Sequence, residues 1–134
     1  MLEKVEFCSR AEAIKMAGNP HWSIISIVEP WTAPARLQPD WRAILRLEFL
    51  DTVDDGSWQT GLFDEGHARQ IIGFVDDAIK NKDIGIIVHC WAGVSRSAAV
   101  AKWIAGLHGL SFNEEYKLYN PHVYRKLCEC SHGG

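Results

Sequence analysis

The chain has 134 residues, 47% of them hydrophobic and 23% charged, which suits one domain with a real core and excludes a globally disordered chain. A net charge of −3 excludes the strong basic excess of a nucleic-acid binder, so any anionic ligand has to be drawn in by one local site. The start MLEKVEFCSR holds no apolar signal-peptide core, and no apolar run approaches the roughly 20 residues that span a bilayer. The expectation is a cytoplasmic protein that engages neither membrane nor nucleic acid, with Cys8, Cys90, Cys128 and Cys130 as free thiols.

Strand and helix signals alternate along the chain. Val5 to Phe7 reads as a short strand, followed by a capping-box pattern at Ser9 and Glu12 and a stop at Gly18. WSIISIV, residues 22–28, is a second strand. The next segment contains Pro30, Pro34 and Pro39 and reads as an irregular loop. AILRLEF, residues 43–49, is a third strand, followed by a loop rich in acids and glycine. Asp64 can cap a helix to about Lys80, with Ile71, Ile72, Val75, Ala78 and Ile79 on one face. The continuous apolar run IGIIV predicts a strand buried on both faces. Residues 97–109 read as a helix ending near Gly109. Ser111 and Glu114 repeat the capping pattern for another helix, and Pro121 starts a last one to about Cys128. The alternation predicts one α/β domain over residues 1–134: a mainly parallel central sheet with helices on both faces.

The segment IGIIVHCWAGVSRSAAVA places Cys90 at the end of the buried strand and Arg96 at the start of a helix. Ligands in such open sheets bind beyond the carboxyl ends of the strands. A helix N-terminus offers unpaired N–H groups and a positive dipole end. The backbone of Trp91, Ala92, Gly93, Val94 and Ser95 can therefore curl around a phosphate, with Gly93 permitting a positive φ. Arg96 adds a planar fork able to hold two phosphate oxygens. The same groups stabilise a thiolate on Cys90, which under a bound phosphate is a positioned nucleophile. Ser97 can donate a hydrogen bond to that thiolate, and His89 can bond loop backbone and orient the cysteine.

At these residues the chain resembles the protein tyrosine and dual-specificity phosphatases, whose signature is His, Cys, five residues, Arg, then Ser or Thr. Here those are His89, Cys90, Arg96 and Ser97, with Gly93 at the family's glycine. The LRLEFLD stretch and the small size are similar to the compact bacterial and phage members, and the likeness is concentrated in residues 45–105. The resemblance implies the fold of dual-specificity phosphatases, a phosphorylated protein or peptide as substrate, no cofactor or metal, and a monomer.

It also implies an aspartate in a nearby loop as general acid. No aspartate follows Arg96, whereas Asp51, Asp54 and Asp55 precede it. Asp51 stands two residues past the end of the third strand, where the family's acid commonly lies, and ranks first, with Asp54 second. Trp58 and Trp91 can flank the pocket or merely pack. Cys128, Cys130 and His132 form only a partial metal set. Two other functions use a loop of this length: a catalytically weak phosphate-binding module, and a rhodanese-like or arsenate-reductase-like enzyme. His89 and Ser97 speak against the last two.

Overall fold

A computed structural model describes residues 2–52 and 61–132. Four strands form one all-parallel sheet: β1 (Lys4–Ser9), β2 (Trp22–Val28), β3 (Ala43–Glu48) and β4 (Gly85–Cys90), in the spatial order β1-β4-β2-β3. The helices are α1 (Arg10–Lys15), α2 (Glu65–Lys80), α3 (Arg96–His108) and α4 (Pro121–His132).

The apolar runs of β2 and β4 are buried on both faces, as continuous hydrophobicity predicts. Ile25, Ile27, Ile86, Val88 and Cys90 join the main core with α2, α3 and α4. Ile24 and Ile87 face the other way, into a smaller cluster with Cys8 and Ala13. Helices do lie on both faces, but unequally. One short helix, aided by Leu37 and Trp41 from the proline-rich loop, covers the second face.

Local signals act as chemistry requires. Ser9 and Glu12 form a reciprocal capping box, and the chain leaves α1 at Met16, before Gly18. Gly18 is required for another reason: a Cβ there would sit 1.8 Å from the Pro39 carbonyl oxygen. Asp64 caps α2 with His67 as its reciprocal partner, and Gly109 ends α3 in the left-handed conformation.

The helix expected after Ser111 does not form. Asn113 instead accepts from the Glu115 N–H and closes a turn through its own carbonyl to the Tyr116 N–H. Such side-chain turns compete with the first helical turn. Glu114 points away from Ser111 and pairs with Lys102 of α3, whose ammonium lies over the Phe112, Tyr119 and Tyr124 rings. The segment between α3 and α4 is thus an irregular strap fastened to α3. The last helix runs one turn beyond Cys128, to His132.

Candidate active site

Cys90 is the last residue of β4, which lies between β1 and β2, and α3 begins six residues later at Arg96. The chain between them is the predicted loop. Gly93 has φ 72°, and a Cβ on it would lie 2.3 Å from the Ser9 nitrogen and 2.4 Å from the Cys8 carbonyl carbon. Both the curl of the loop and its close approach to the end of β1 therefore require glycine.

The Cys90 sulfur is buried and lies 3.1 Å from the Ser97 hydroxyl, itself fully buried on the first turn of α3. Ser95 precedes the helix, but its side chain caps none of the helix N–H groups. Its hydroxyl donates to Asp51 at 2.8 Å instead. An anion in the loop therefore does not compete with a Ser95 side-chain cap for the first-turn N–H groups.

Arg96 is 3% exposed. Its guanidinium donates to the Phe49 carbonyl at 3.0 Å and to Glu29 at 2.8 Å. Its Nε is buried with no hydrogen-bond partner among the described residues, a donor that a bound anion would satisfy. Burial pushes the Glu29 carboxyl up, but its own backbone N–H, the Arg96 guanidinium and the Thr32 hydroxyl outweigh it and hold the group below its ordinary value. Glu29 is therefore an ionised strut for Arg96 at neutral pH.

His89 is fully buried. Its Nε2 lies 2.6 Å from the Ser26 hydroxyl on β2, and its Nδ1 makes a longer contact, 3.4 Å, to the Cys90 carbonyl. The tautomer with hydrogen on Nδ1 fits both: Nδ1 donates to the carbonyl and the hydroxyl donates to Nε2. The stronger anchor is thus the neighbouring strand, not the loop. Burial pulls the His89 pKa down to about 4, helped by the Arg10, Arg46 and Arg96 charges and opposed by the Cys90 carbonyl. In the unfolded chain it titrates near 6.5. Between these values the unfolded state binds a proton that the folded state refuses, so stability is full above pH 6.5 and falls as pH drops towards 4, by up to about 3 kcal/mol. Denaturant midpoints from pH 7 to 4.5 should fall in the wild type and fall markedly less in His89→Asn. Parallel declines would contradict this role.

Cys8 is no second nucleophile. It faces the smaller core, and burial, reinforced by Glu12, Cys90 and Glu6, pushes its thiol up to about 12. Trp91 is exposed with the Arg10 guanidinium 5.7 Å from its ring centroid, and Arg10 also donates to the Ala33 and Pro34 carbonyls. Ala92 and Val94 are exposed beside it.

Asp51 lies three residues beyond the end of β3, after Phe49 and Leu50, at the rim of the loop, held by Ser95 and by the Asn120 side-chain amide at 2.9 Å. Asp54, Asp55 and Trp58 lie outside the described residues. Four contributors went unread in the sequence: Glu29, Ser26, Tyr116 and Asn120. The Tyr116 hydroxyl donates to the Val94 carbonyl, fastening the strap to the loop. Only Asn120 carried a local signal, standing as N-cap before Pro121.

No family model matches the chain, and no curated protein sequence does. Solved structures do. Human DUSP28 matches with a TM-score of 0.62 and 19% identity, over 96% of this chain and 92% of that one. A human tyrosine phosphatase-like serine/threonine/tyrosine-interacting protein matches with a TM-score of 0.60 and 18% identity, over 95% and 91%. At the level of the backbone, this chain has the fold of the dual-specificity phosphatases.

Proposed function

We propose that the chain is a protein phosphatase that hydrolyses phosphotyrosine, and phosphoserine or phosphothreonine where they reach the loop, through a cysteinyl-phosphate intermediate. The observation that carries this reading is the buried Cys90 sulfur beside the Ser97 hydroxyl, in one loop with an Arg96 guanidinium that keeps a buried donor unpartnered. The Cys90 thiolate attacks phosphorus, the bond from phosphorus to the substrate oxygen breaks, and Asp51 gives that oxygen its proton. The Asp51 carboxylate then takes a proton from water, which attacks phosphorus. The sulfur–phosphorus bond breaks, inorganic phosphate leaves, and the Ser97 hydroxyl stabilises the departing thiolate. Arg96 and the loop N–H groups hold the phosphoryl oxygens throughout.

Turnover of p-nitrophenyl phosphate and a phosphotyrosine peptide, set against thiosulfate, tests the class of reaction. Hydrolysis of both phosphoesters without sulfur transfer is expected. A purified, folded chain that binds the peptide but turns over neither ester would make it a phosphate-binding module. The phosphatase-like neighbour keeps that second reading in view.

The loop CWAGVSR holds no lysine, whereas a polyphosphorylated inositide would want added positive charge there, so protein substrates fit better. Asp51→Asn should lower kcat on a phosphotyrosine peptide by about a hundredfold, with a smaller loss on p-nitrophenyl phosphate, whose leaving group needs little protonation. It should also flatten the alkaline limb of the pH–kcat profile. Asp54→Asn and Asp55→Asn should change little. Equal losses on both substrates in Asp51→Asn would remove Asp51 from the role.

A further inference from the structure

We propose that Asn120 is a positioning residue for the general acid, holding the Asp51 carboxyl against the phosphate loop and fixing which of its oxygens carries the proton. This rests on the reading of Asp51 as proton donor and goes one residue beyond it.

Asn120 is 3% exposed and joins three parts of the site. Its backbone N–H donates to the Ser95 carbonyl in the loop at 3.1 Å. Its side-chain Nδ2 donates to Asp51 Oδ1 at 2.9 Å and to the Thr52 carbonyl at 3.0 Å. Its Oδ1 accepts from the Val123 N–H at 3.1 Å, capping α4. The amide can adopt only this orientation, because the carboxylate and the carbonyl both need a donor and the N–H needs an acceptor.

A helix cap alone does not ask for this residue. Serine, threonine or aspartate supplies the acceptor as well. Only an amide side chain presents one acceptor and two donors together, and the two donors are spent entirely on the Asp51–Thr52 segment. The requirement for asparagine therefore comes from the acid, 69 residues away in sequence.

Among the described residues, the hydrogen bonds to Asp51, from Asn120 and from Ser95, both fall on the same oxygen, Oδ1. An oxygen that already accepts two hydrogen bonds serves as the carbonyl oxygen of the protonated acid. The proton is thereby directed to Oδ2, the oxygen left to face a leaving group. Ser95 belongs to the phosphate loop, so the same pair of bonds sets the distance between acid and phosphate.

Asn120→Ser and Asn120→Asp both keep an acceptor for α4 and remove the amide Nδ2 that donates to Asp51. Each should lower kcat on a phosphotyrosine peptide by about tenfold or more, with less than about threefold loss on p-nitrophenyl phosphate. Asn120→Asp also sets a like charge beside Asp51, so its alkaline pH–kcat limb should move to higher pH, a shift absent from Asn120→Ser. In an Asp51→Asn background, Asn120→Ser should add no further leaving-group-dependent loss. Two failures are distinguishable. If Asp51→Asn alone shows no leaving-group dependence, the acid reading fails and takes this inference with it. If Asp51→Asn shows it while both Asn120 variants slow the two substrates equally or not at all, Asn120 serves only the fold, and the inference is overturned with the acid reading intact. Thermal melts establish that each variant is folded. Should one fail to fold, the other decides on the leaving-group comparison.

Discussion

Cys90→Ser should reduce turnover by a factor on the order of 10⁴ or more while leaving phosphopeptide binding in place. The expectation follows from how the site divides its labour. The sulfur lies buried at the end of β4, 3.1 Å from Ser97, and in the proposed mechanism is the atom that forms a bond to phosphorus. In the proposed mechanism the loop N–H groups and Arg96 bind the phosphoryl oxygens, and none of them is altered by exchanging sulfur for oxygen. A serine hydroxyl stays protonated where a thiolate is stabilised, and no base stands in hydrogen-bond reach to activate it among the described residues. Removing an anion from beneath the phosphate should, if anything, tighten binding. Single-turnover kinetics and equilibrium binding of a phosphotyrosine peptide check both halves. Wild-type turnover in the variant would end the cysteine mechanism, and loss of binding with the fold intact would show that the sulfur, not the loop, holds the ligand.

Arg96→Lys should lower kcat by about a hundredfold or more although the charge is kept. Arg96 does two things at once. Its guanidinium is anchored by Glu29 and the Phe49 carbonyl, and its Nε remains as a buried donor without a partner. A lysine ammonium is a single point of charge. If it pairs with Glu29 it leaves the phosphate, and if it turns to the phosphate it deprives the half-buried Glu29 carboxylate of its ion pair. The loss should be larger in kcat than in KM, because the planar fork matches the transferring phosphoryl best in the transition state. A kcat within about threefold of wild type would show that Arg96 is not the clamp.

How much of this was legible in the sequence varied with the range of the interactions involved. The strand β4, its terminal Cys90, the glycine of the loop and the arginine opening α3 lie within a dozen consecutive residues, and patterning and helix-end chemistry suffice to read them. The caps at Ser9 and Asp64 are local in the same sense. The same local logic failed at Ser111, where an asparagine turn and the aromatic seat of Lys102 offered the chain better bonds than a helix would. Glu29 is 67 residues from Arg96, and Asn120 is 69 from Asp51. The sheet order sets Glu29 beside Arg96, the packing of α4 on α3 sets Asn120 beside Asp51, and no spacing rule reports either. His89 illustrates the middle ground. Its place before Cys90 marks it, but its anchor, Ser26, becomes visible only when β2 is laid beside β4.

Trapping the phosphoenzyme tests the cysteinyl-phosphate intermediate itself. Asp51→Asn, which should slow attack by water on the intermediate, is mixed with p-nitrophenyl phosphate, quenched within a single turnover, and digested for mass spectrometry. One added phosphoryl group is expected on the peptide that carries Cys90, formed and lost at rates that match turnover, and absent from Cys90→Ser. Phosphate found on another residue, or rapid turnover in which Cys90 never carries a phosphoryl group, would contradict it.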